Sequence, residues 1–331
     1  MCSQARWTSA ATIVALVAAI QGCAGRGPVI EPHLDAAAPR QIELEATPFF
    51  PQREYQCGPA ALATVLAASG VAVTPDDLTA RVYIPERRGS LQPEMIAATR
   101  GYDRLAVVLG SSLDVVLREV SAGNPVLVLQ NLGVASLPLW HYAVVVGFDS
   151  SSDALILRSG EDDRKRISAH RFASSWSLAR NWAVVVVRPD TIPVTATPDA
   201  FVAAAAGLEA AHRSEAALTA YRVARDRWPG DVTALLGIGN ISYAAHRLPE
   251  AEDAYRAVLA VAEHNAVARN NLAQVLLDKG EPDAALSEIL RARADLSDSR
   301  LAPMLATTES DIRRALATPA PERPDKRAGN K

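Results

Sequence analysis

Phe49-Phe50-Pro51-Gln52-Arg53-Glu54-Tyr55-Gln56-Cys57-Gly58-Pro59-Ala60-Ala61-Leu62 is the stretch from which the fold can be read. Up to Gln56 it is polar or broken by proline. From Cys57 to Ala68 it is small and apolar, without a single charge. The change predicts a helix over Cys57–Ala68, with Pro59 in the first turn, where a missing N–H costs nothing. A thiol at that helix start faces the positive end of the dipole and unpaired N–H groups, which favour thiolate over thiol. The competing reading is a buried small hydrophobe, the commoner fate of a lone cysteine.

Cys57 shares the chain with only Cys2 and Cys23, both in an N-terminal segment of different character. Arg6 is the one charge in residues 1–23, and Ala10–Ile20 is an apolar run too short and alanine-rich to span a bilayer. The run ends in Ile20-Gln21-Gly22-Cys23, which resembles the bacterial lipoprotein signal. That resemblance implies removal of residues 1–22 and acylation of Cys23. With Ala24 following, it implies the bacterial cell envelope, at the outer membrane facing the periplasm. Cys57 is then the one free thiol of an exported protein, where unpaired thiols are usually oxidised. The alternative is an ordinary signal peptide or an uncleaved anchor, with Cys23 free to pair with Cys57.

Loss of residues 1–22 moves the formal charge from -3 to -4. With a pI near 6.1 and no basic stripe, nucleic acid is not an expected partner. Composition is that of an ordinary globular chain, and its length suggests two domains. Residues 23–46 carry Gly, Pro, Ala and scattered charge without periodicity, as a tether would. A second break at 190–197, rich in Pro and Thr, separates blocks of unlike pattern.

The first block, 47–189, mixes helices and strands. Thr74-Pro75-Asp76-Asp77 opens a helix, Ser90 caps another that ends at Gly101, and Ser112–Ala122 is amphipathic up to Gly123. Val126–Leu129, His141–Val146, Ala154–Leu157 and Trp182–Val187 are strand candidates. Glu161-Asp162-Asp163-Arg164-Lys165-Arg166, mixed in sign, reads as a solvated loop. Helices followed by a β-rich half predict an α+β domain with an antiparallel sheet. Phe172, Trp176 and Trp182 are expected in its core; Trp140 could pack there or wall a substrate groove.

The second block repeats with a period of 34 residues over 198–231, 232–265 and 266–299. Ala217, Ala251 and Ala285 fall in phase, as do Tyr221, Tyr255 and Ile289, while Leu208 corresponds to Ser242 and Leu276. Small residues recur at Ala205, Gly239 and Ala273, where two helices would cross, and Trp228-Pro229-Gly230 closes the first unit. The pattern resembles the tetratricopeptide repeat, an all-α solenoid. Residues 300–317 are then a capping helix and 318–331 a disordered tail.

The stretch around Cys57 is similar to the start of bacteriocin-processing-type, double-glycine-peptidase-like cysteine peptidases, a branch of the papain-like superfamily. The resemblance covers roughly residues 48–189. It implies that Gln52 lines an oxyanion hole and that Cys57 is the nucleophile, as the helix-start chemistry independently suggests. A thiolate needs an imidazole, and of the six histidines only His141 and His170 lie between tether and repeats. His141 heads Trp140-His141-Tyr142-Ala143-Val144-Val145-Val146-Gly147, the family's strand pattern, and is favoured over His170 in its Ser-Ala-His-Arg context. The family's third residue, an Asp or Asn, is missing. Asp149 lies roughly 26 Å from His141 along an extended strand. With Phe148 opposite Ala154 in a hairpin, His141 faces residue 161 and Ser159 lies diagonally on the same face. Ser159 is thus the expected, uncharged orienter, with Glu161 or Asp162 as substitutes if the register slips.

The sequence offers no His-Glu-x-x-His, no paired Cys-x-x-Cys and no phosphate-binding glycine loop, so no metal and no cofactor are expected. The expectation is an envelope-anchored cysteine peptidase. Its substrate is a peptide or protein, its repeats recruit substrate or a protein partner, and lipidated Cys23 meets the membrane. No transporter segment follows the peptidase-like block, so double-glycine leader specificity is not carried over. The alternatives are a non-hydrolytic peptide-binding scaffold, motivated by the missing acid, and a Cys–His acyltransferase.

Overall fold

The computed structural model describes residues 29–33, 39–296 and 298–317. The segment read as a signal, residues 1–22 with Cys2, and likewise Cys23 and the tail from residue 318, lie outside the described residues.

An antiparallel sheet of seven strands organises the first block. Its strands are β1 (Gln41–Glu43), β2 (Leu105–Val108), β3 (Val126–Asn131), β4 (Trp140–Asp149), β5 (Ala154–Ser159), β6 (Asp162–Ser168) and β7 (Ala183–Val187). They run in the order β2-β7-β3-β4-β5-β6, and β1 adds to β4 beyond the end of β3. Helix α1 (Cys57–Ala68) is apolar on every side and buried from Gly58 to Leu66, so it packs as the central helix on one sheet face. Helices α2 (Pro75–Val82) and α3 (Gln92–Arg100) flank it, while α4 (Leu113–Ser121) and α5 (Ala169–Ser177) cover the other face. This is the expected α+β arrangement. Phe172 and Trp176 are buried, and Trp182 is half-buried with its ring edge-on to Tyr142.

Four local expectations need correction. Residues 161–166 are not a free loop: Asp162–Ser168 is an edge strand on β5, turned at Gly160 with φ +68°. Its charges lie exposed along the sheet edge, a common way to block further strand pairing. The described parts of the segment read as tether, residues 29–33 and 39–46, are docked instead. Gln41–Glu43 pairs with β4, and the Val29 and Ile30 N–H groups donate to the Asp153 carboxylate at 2.8 and 2.9 Å. Ser90 does not cap α3, whose N-cap is Leu91; its Oγ is buried where a Cβ on Gly58 would stand 2.3 Å away. Finally, Phe148 pairs with Leu155 rather than Ala154.

Helices α6 (Pro198–Ala210), α7 (Ser214–Arg227), α8 (Val232–Ala244), α9 (Leu248–Val261), α10 (Ala266–Asp278) and α11 (Pro282–Ala294) form three antiparallel pairs, followed by α12 (Ala302–Ala317). The in-phase residues explain the stacking. A Cβ on Gly237 would meet the Tyr221 ring at 2.2 Å, and one on Gly239 would meet Tyr255 at 2.5 Å. Each tyrosine therefore fills space that a small residue vacates. The repeats lie against the sheet domain: Phe201, Val202 and Tyr221 share an apolar cluster with residues of β2 and β7. The Arg213 guanidinium donates to the Gly101 carbonyl at 2.6 Å. The buried Glu119 carboxylate on α4 accepts from both N–H and Oγ of Thr195 at 2.6 Å, which fixes the connecting segment.

Candidate active site

Gln56 provides no side-chain cap to α1, and no acidic residue stands in its first turn. The first N–H groups of the helix are therefore left for the thiol beside them. Cys57 is a half-buried free thiol. Burial pushes it above its ordinary value, against backbone N–H groups of Tyr142, Gly58 and Cys57 itself that favour the thiolate. Gln52 lies on the wall of the cavity shared with Cys57, and its backbone N–H donates to the Gly160 carbonyl at 3.1 Å.

His141 Nε2 lies 2.9 Å from Ser159 Oγ. The register explains how a strand-pairing offset still delivers this contact. Phe148 opposes Leu155, but a bulge between Val145 and Gly147 shifts the ladder, so Val144 opposes Arg158. From there toward His141 the pairing matches the one that puts Ser159 on the diagonal. With the proton on Nε2, Ser159 accepts and Nδ1 is left as the base. Burial first, and then the Lys165 charge, hold the imidazole down at about 4. Among the described residues no hydrogen bond joins His141 to Cys57, and the raised thiol and lowered imidazole favour the neutral pair near pH 7.

The remaining candidates stand elsewhere. Asp149 closes its turn by accepting from the Ser151 N–H and Oγ, the Ser152 Oγ and Arg166. Those partners, Ser151 first, hold its carboxyl well below the usual range. Glu161 and Asp162 are exposed at the β5–β6 turn, and neither supplies the hydrogen bond that Ser159 makes. His170 lies in the first turn of α5 and not on the cavity wall.

Cys57, His141, Gln52 and Tyr142 line one cavity of about 1010 Å³. Three features around it escaped the sequence reading. Arg158 donates to the carbonyls of Thr47, Glu45 and Asp163, which staples the chain leading to Gln52 onto the β5–β6 hairpin. The β3–β4 connection, residues 132–139, is an ordered hairpin tip: Leu132 N–H donates to Leu139 O at 2.8 Å, and Val134 pairs with Leu137. Buried Asn131 pins its base by accepting from the Gly133 and Leu139 N–H groups at 2.9 and 2.8 Å. Two apolar runs around Ala135-Ser136 were a legible hairpin signal. Arg87, Arg88 and Arg180 complete the rim, drawn from segments with no common sequence signature.

A thiol at the start of a buried helix, with an imidazole heading a strand of an antiparallel sheet, defines a papain-like peptidase-type domain, here joined to a helical repeat solenoid. Residues 43–184 match the Peptidase C39 like family, and residues 202–260 and 243–299 match the tetratricopeptide repeat, so the chain carries a C39-like domain followed by repeats of a class that generally binds proteins. Similar solved structures include a protein described as a C39-like peptidase from Bacillus anthracis, 16% identical, covering 45% of this chain and 98% of that one with a TM-score of 0.39. The peptidase domain of Streptococcus ComA, a bi-functional ABC transporter involved in a quorum sensing pathway, is 20% identical over 43% of this chain and 98% of its own, TM-score 0.34. The Yersinia enterocolitica type III secretion chaperone SycD, in complex with a peptide of the translocator YopD, is 18% identical over 35% of this chain and 92% of its own, TM-score 0.34. The comparison with curated proteins gives no match.

Proposed function

We propose that the chain is a cysteine peptidase of the bacterial cell envelope, with repeats that recruit its substrate or a protein partner. The observation that carries this reading is the His141–Ser159 contact of 2.9 Å beside a cavity shared by Cys57, His141 and Gln52. Cys57 Sγ attacks the peptide carbonyl while His141 Nδ1 takes the thiol proton. The Gln52 amide and the N–H groups at the start of α1 hold the oxyanion. The imidazolium then protonates the leaving amine, and water, deprotonated by the same imidazole, hydrolyses the thioester. Ser159 keeps the proton on Nε2, so Nδ1 can act. Anchoring through acylated Cys23 is supported by the Ile20-Gln21-Gly22-Cys23 ending alone.

Labelling with an active-site thiol probe, comparing the native chain with His141→Ala, tests the pair. Enhanced Cys57 labelling that depends on His141 is expected. Reactivity no greater than a free thiol's, and indifferent to His141, would overturn the enzyme. A second reading, a peptide-binding scaffold without hydrolysis, is favoured by the raised thiol, the lowered imidazole and, among the described residues, the absence of an acid bonded to it. Acyl transfer uses the same pair, and product analysis with an added amine separates it from hydrolysis.

A further inference from the structure

The cavity mouth combines two chemistries that a bare catalytic cleft does not need. One wall is the stem of the hairpin, with Leu132, Pro138, Leu139 and Trp140 on the cavity; Leu139 and Trp140 are more than half exposed, as are Val134 and Leu137 at the adjoining tip. Its base is fixed by Asn131, so the projection is built rather than left loose. Folded proteins seldom leave so dense an apolar patch uncovered without a partner.

The other part of the rim is cationic. Arg87, Arg88 and Arg180 line the cavity, against Glu54 as its single acidic liner. Among the described residues none of the three arginines makes an ion pair, whereas the chain's other arginines are widely paired, as Arg164 is with Glu43. Arg88 has φ +46° and Arg180 φ +57°, a left-handed backbone that side-chain-bearing residues adopt sparingly. The Arg88 guanidinium lies 5.5 Å from the centre of the Tyr55 ring, which holds it at the mouth beside the segment entering Cys57.

We propose that the cavity selects acidic, apolar peptide segments, an apolar side chain packing on the hairpin while Asp or Glu side chains meet the rim arginines. The inference deepens the peptidase reading and rests on it for the presence of a peptide in the cleft. The arginines come from two separate loops, at 87–88 and 180. Three guanidiniums offer more donors than one C-terminal carboxylate takes up, so they are assigned to acidic side chains within the peptide.

Fluorescein-labelled peptides with one Leu/Val core, flanked by Glu, Gln or Lys and made as free acid and amide, test this. Binding is read by anisotropy on the full chain carrying Cys57→Ala, and cleavage is read on the native chain. The Glu peptide should bind on the order of tenfold more tightly than the Gln peptide, the combined effect of two or three exposed charge pairs. The Lys peptide should bind more weakly still, and added salt should erode the difference. Arg180→Gln, and separately Arg87→Gln with Arg88→Gln, should each reduce the preference to about threefold. Equal binding of Glu and Lys peptides, a preference indifferent to the arginines, or one that needs only the free C-terminus overturns the proposal. So does hairpin binding to phosphatidylglycerol vesicles in place of charge-selective peptide binding. Charge-selective binding without cleavage sinks the peptidase reading and keeps this one; cleavage indifferent to charge does the reverse.

Discussion

Ser159→Asp restores a carboxylate at the place where Ser159 Oγ lies 2.9 Å from His141 Nε2. The imidazole now sits at about 4, held there by burial and by Lys165, and nothing negative offsets either effect. A carboxylate within hydrogen-bonding distance typically raises such a group by about 1–3 pH units. The substituted protein should therefore titrate His141 between about 5 and 7, a stabilisation of the imidazolium by roughly 1.4–4 kcal/mol. The sign follows from charge: the anion favours the protonated ring, so the pKa moves up and the base becomes stronger.

Titration of the ¹⁵N-labelled imidazole in the full chain measures this directly, and the acid limb of kcat/KM against pH should move with it. A base nearer the working pH is also the better proton carrier, so the plateau rate should rise as well. Ser159→Ala provides the opposite arm. It removes a hydrogen bond worth about 1 kcal/mol and should lower the plateau several-fold. An imidazole whose titration ignores both substitutions would refute Ser159 as the orienter. An acid limb that fails to follow the measured imidazole would refute His141 as the base.

The acid stability of the fold follows from the same group. His141 in the folded chain lies at about 4, below its ordinary 6.5, so the unfolded chain takes the proton first. Its contribution is present above about 6.5 and is lost as pH falls toward 4, by up to about 3 kcal/mol. Urea unfolding across that window should steepen for the native chain and flatten for His141→Gln; Asp149, depressed by Ser151 and Arg166, acts only at lower pH. Gly239→Ala places a methyl 2.5 Å from the Tyr255 ring and should cost about 1–3 kcal/mol, read as a fall in urea midpoint. Glu119→Ala leaves the Thr195 N–H and Oγ without their acceptor and should cost about 1–3 kcal/mol. It should also open residues 190–197 to limited proteolysis; unchanged cleavage would argue against Glu119 as the tie between the two blocks.

Helix α1 was legible residue for residue because its signal is local: a polar, proline-broken approach, then uncharged small residues with proline in the first turn. The repeats were legible for a related reason, since the small residues Ala205, Gly239 and Ala273 and the large ones Tyr221, Tyr255 and Ile289 each recur at 34-residue spacing. What escaped the sequence is what distant partners impose. Gly147 accepts β1 so closely that a Cβ would stand 2.5 Å from the Ile42 carbonyl, and the neighbouring bulge shifts the β4–β5 register. Neither follows from residues 140–160 alone, because Gln41–Glu43 alternates too briefly to read as a strand. β6 escaped for the opposite reason. An edge strand exposed along nearly its whole length has no apolar alternation to reveal it.

The supports around His141 bear on whether Ser159 is a substitute or a relic. Gln52 is fixed through the Gly160 carbonyl, next to Ser159 in the chain. Arg158, on the other side of Ser159, ties the same turn to Glu45 and Thr47, and so to the approach to Gln52. The proposed orienter and the proposed oxyanion donor therefore hang from one turn, and a shift in either would move both. A site decaying at its third residue would be expected to loosen there first, since nothing would hold that turn once its side chain had lost its purpose. Here the turn is held by three backbone carbonyls through one arginine, and the serine it carries still reaches the imidazole. At the His141–Ser159 contact what is missing is thus a charge and not a hydrogen bond, which is why restoring a carboxylate at position 159 is the informative perturbation.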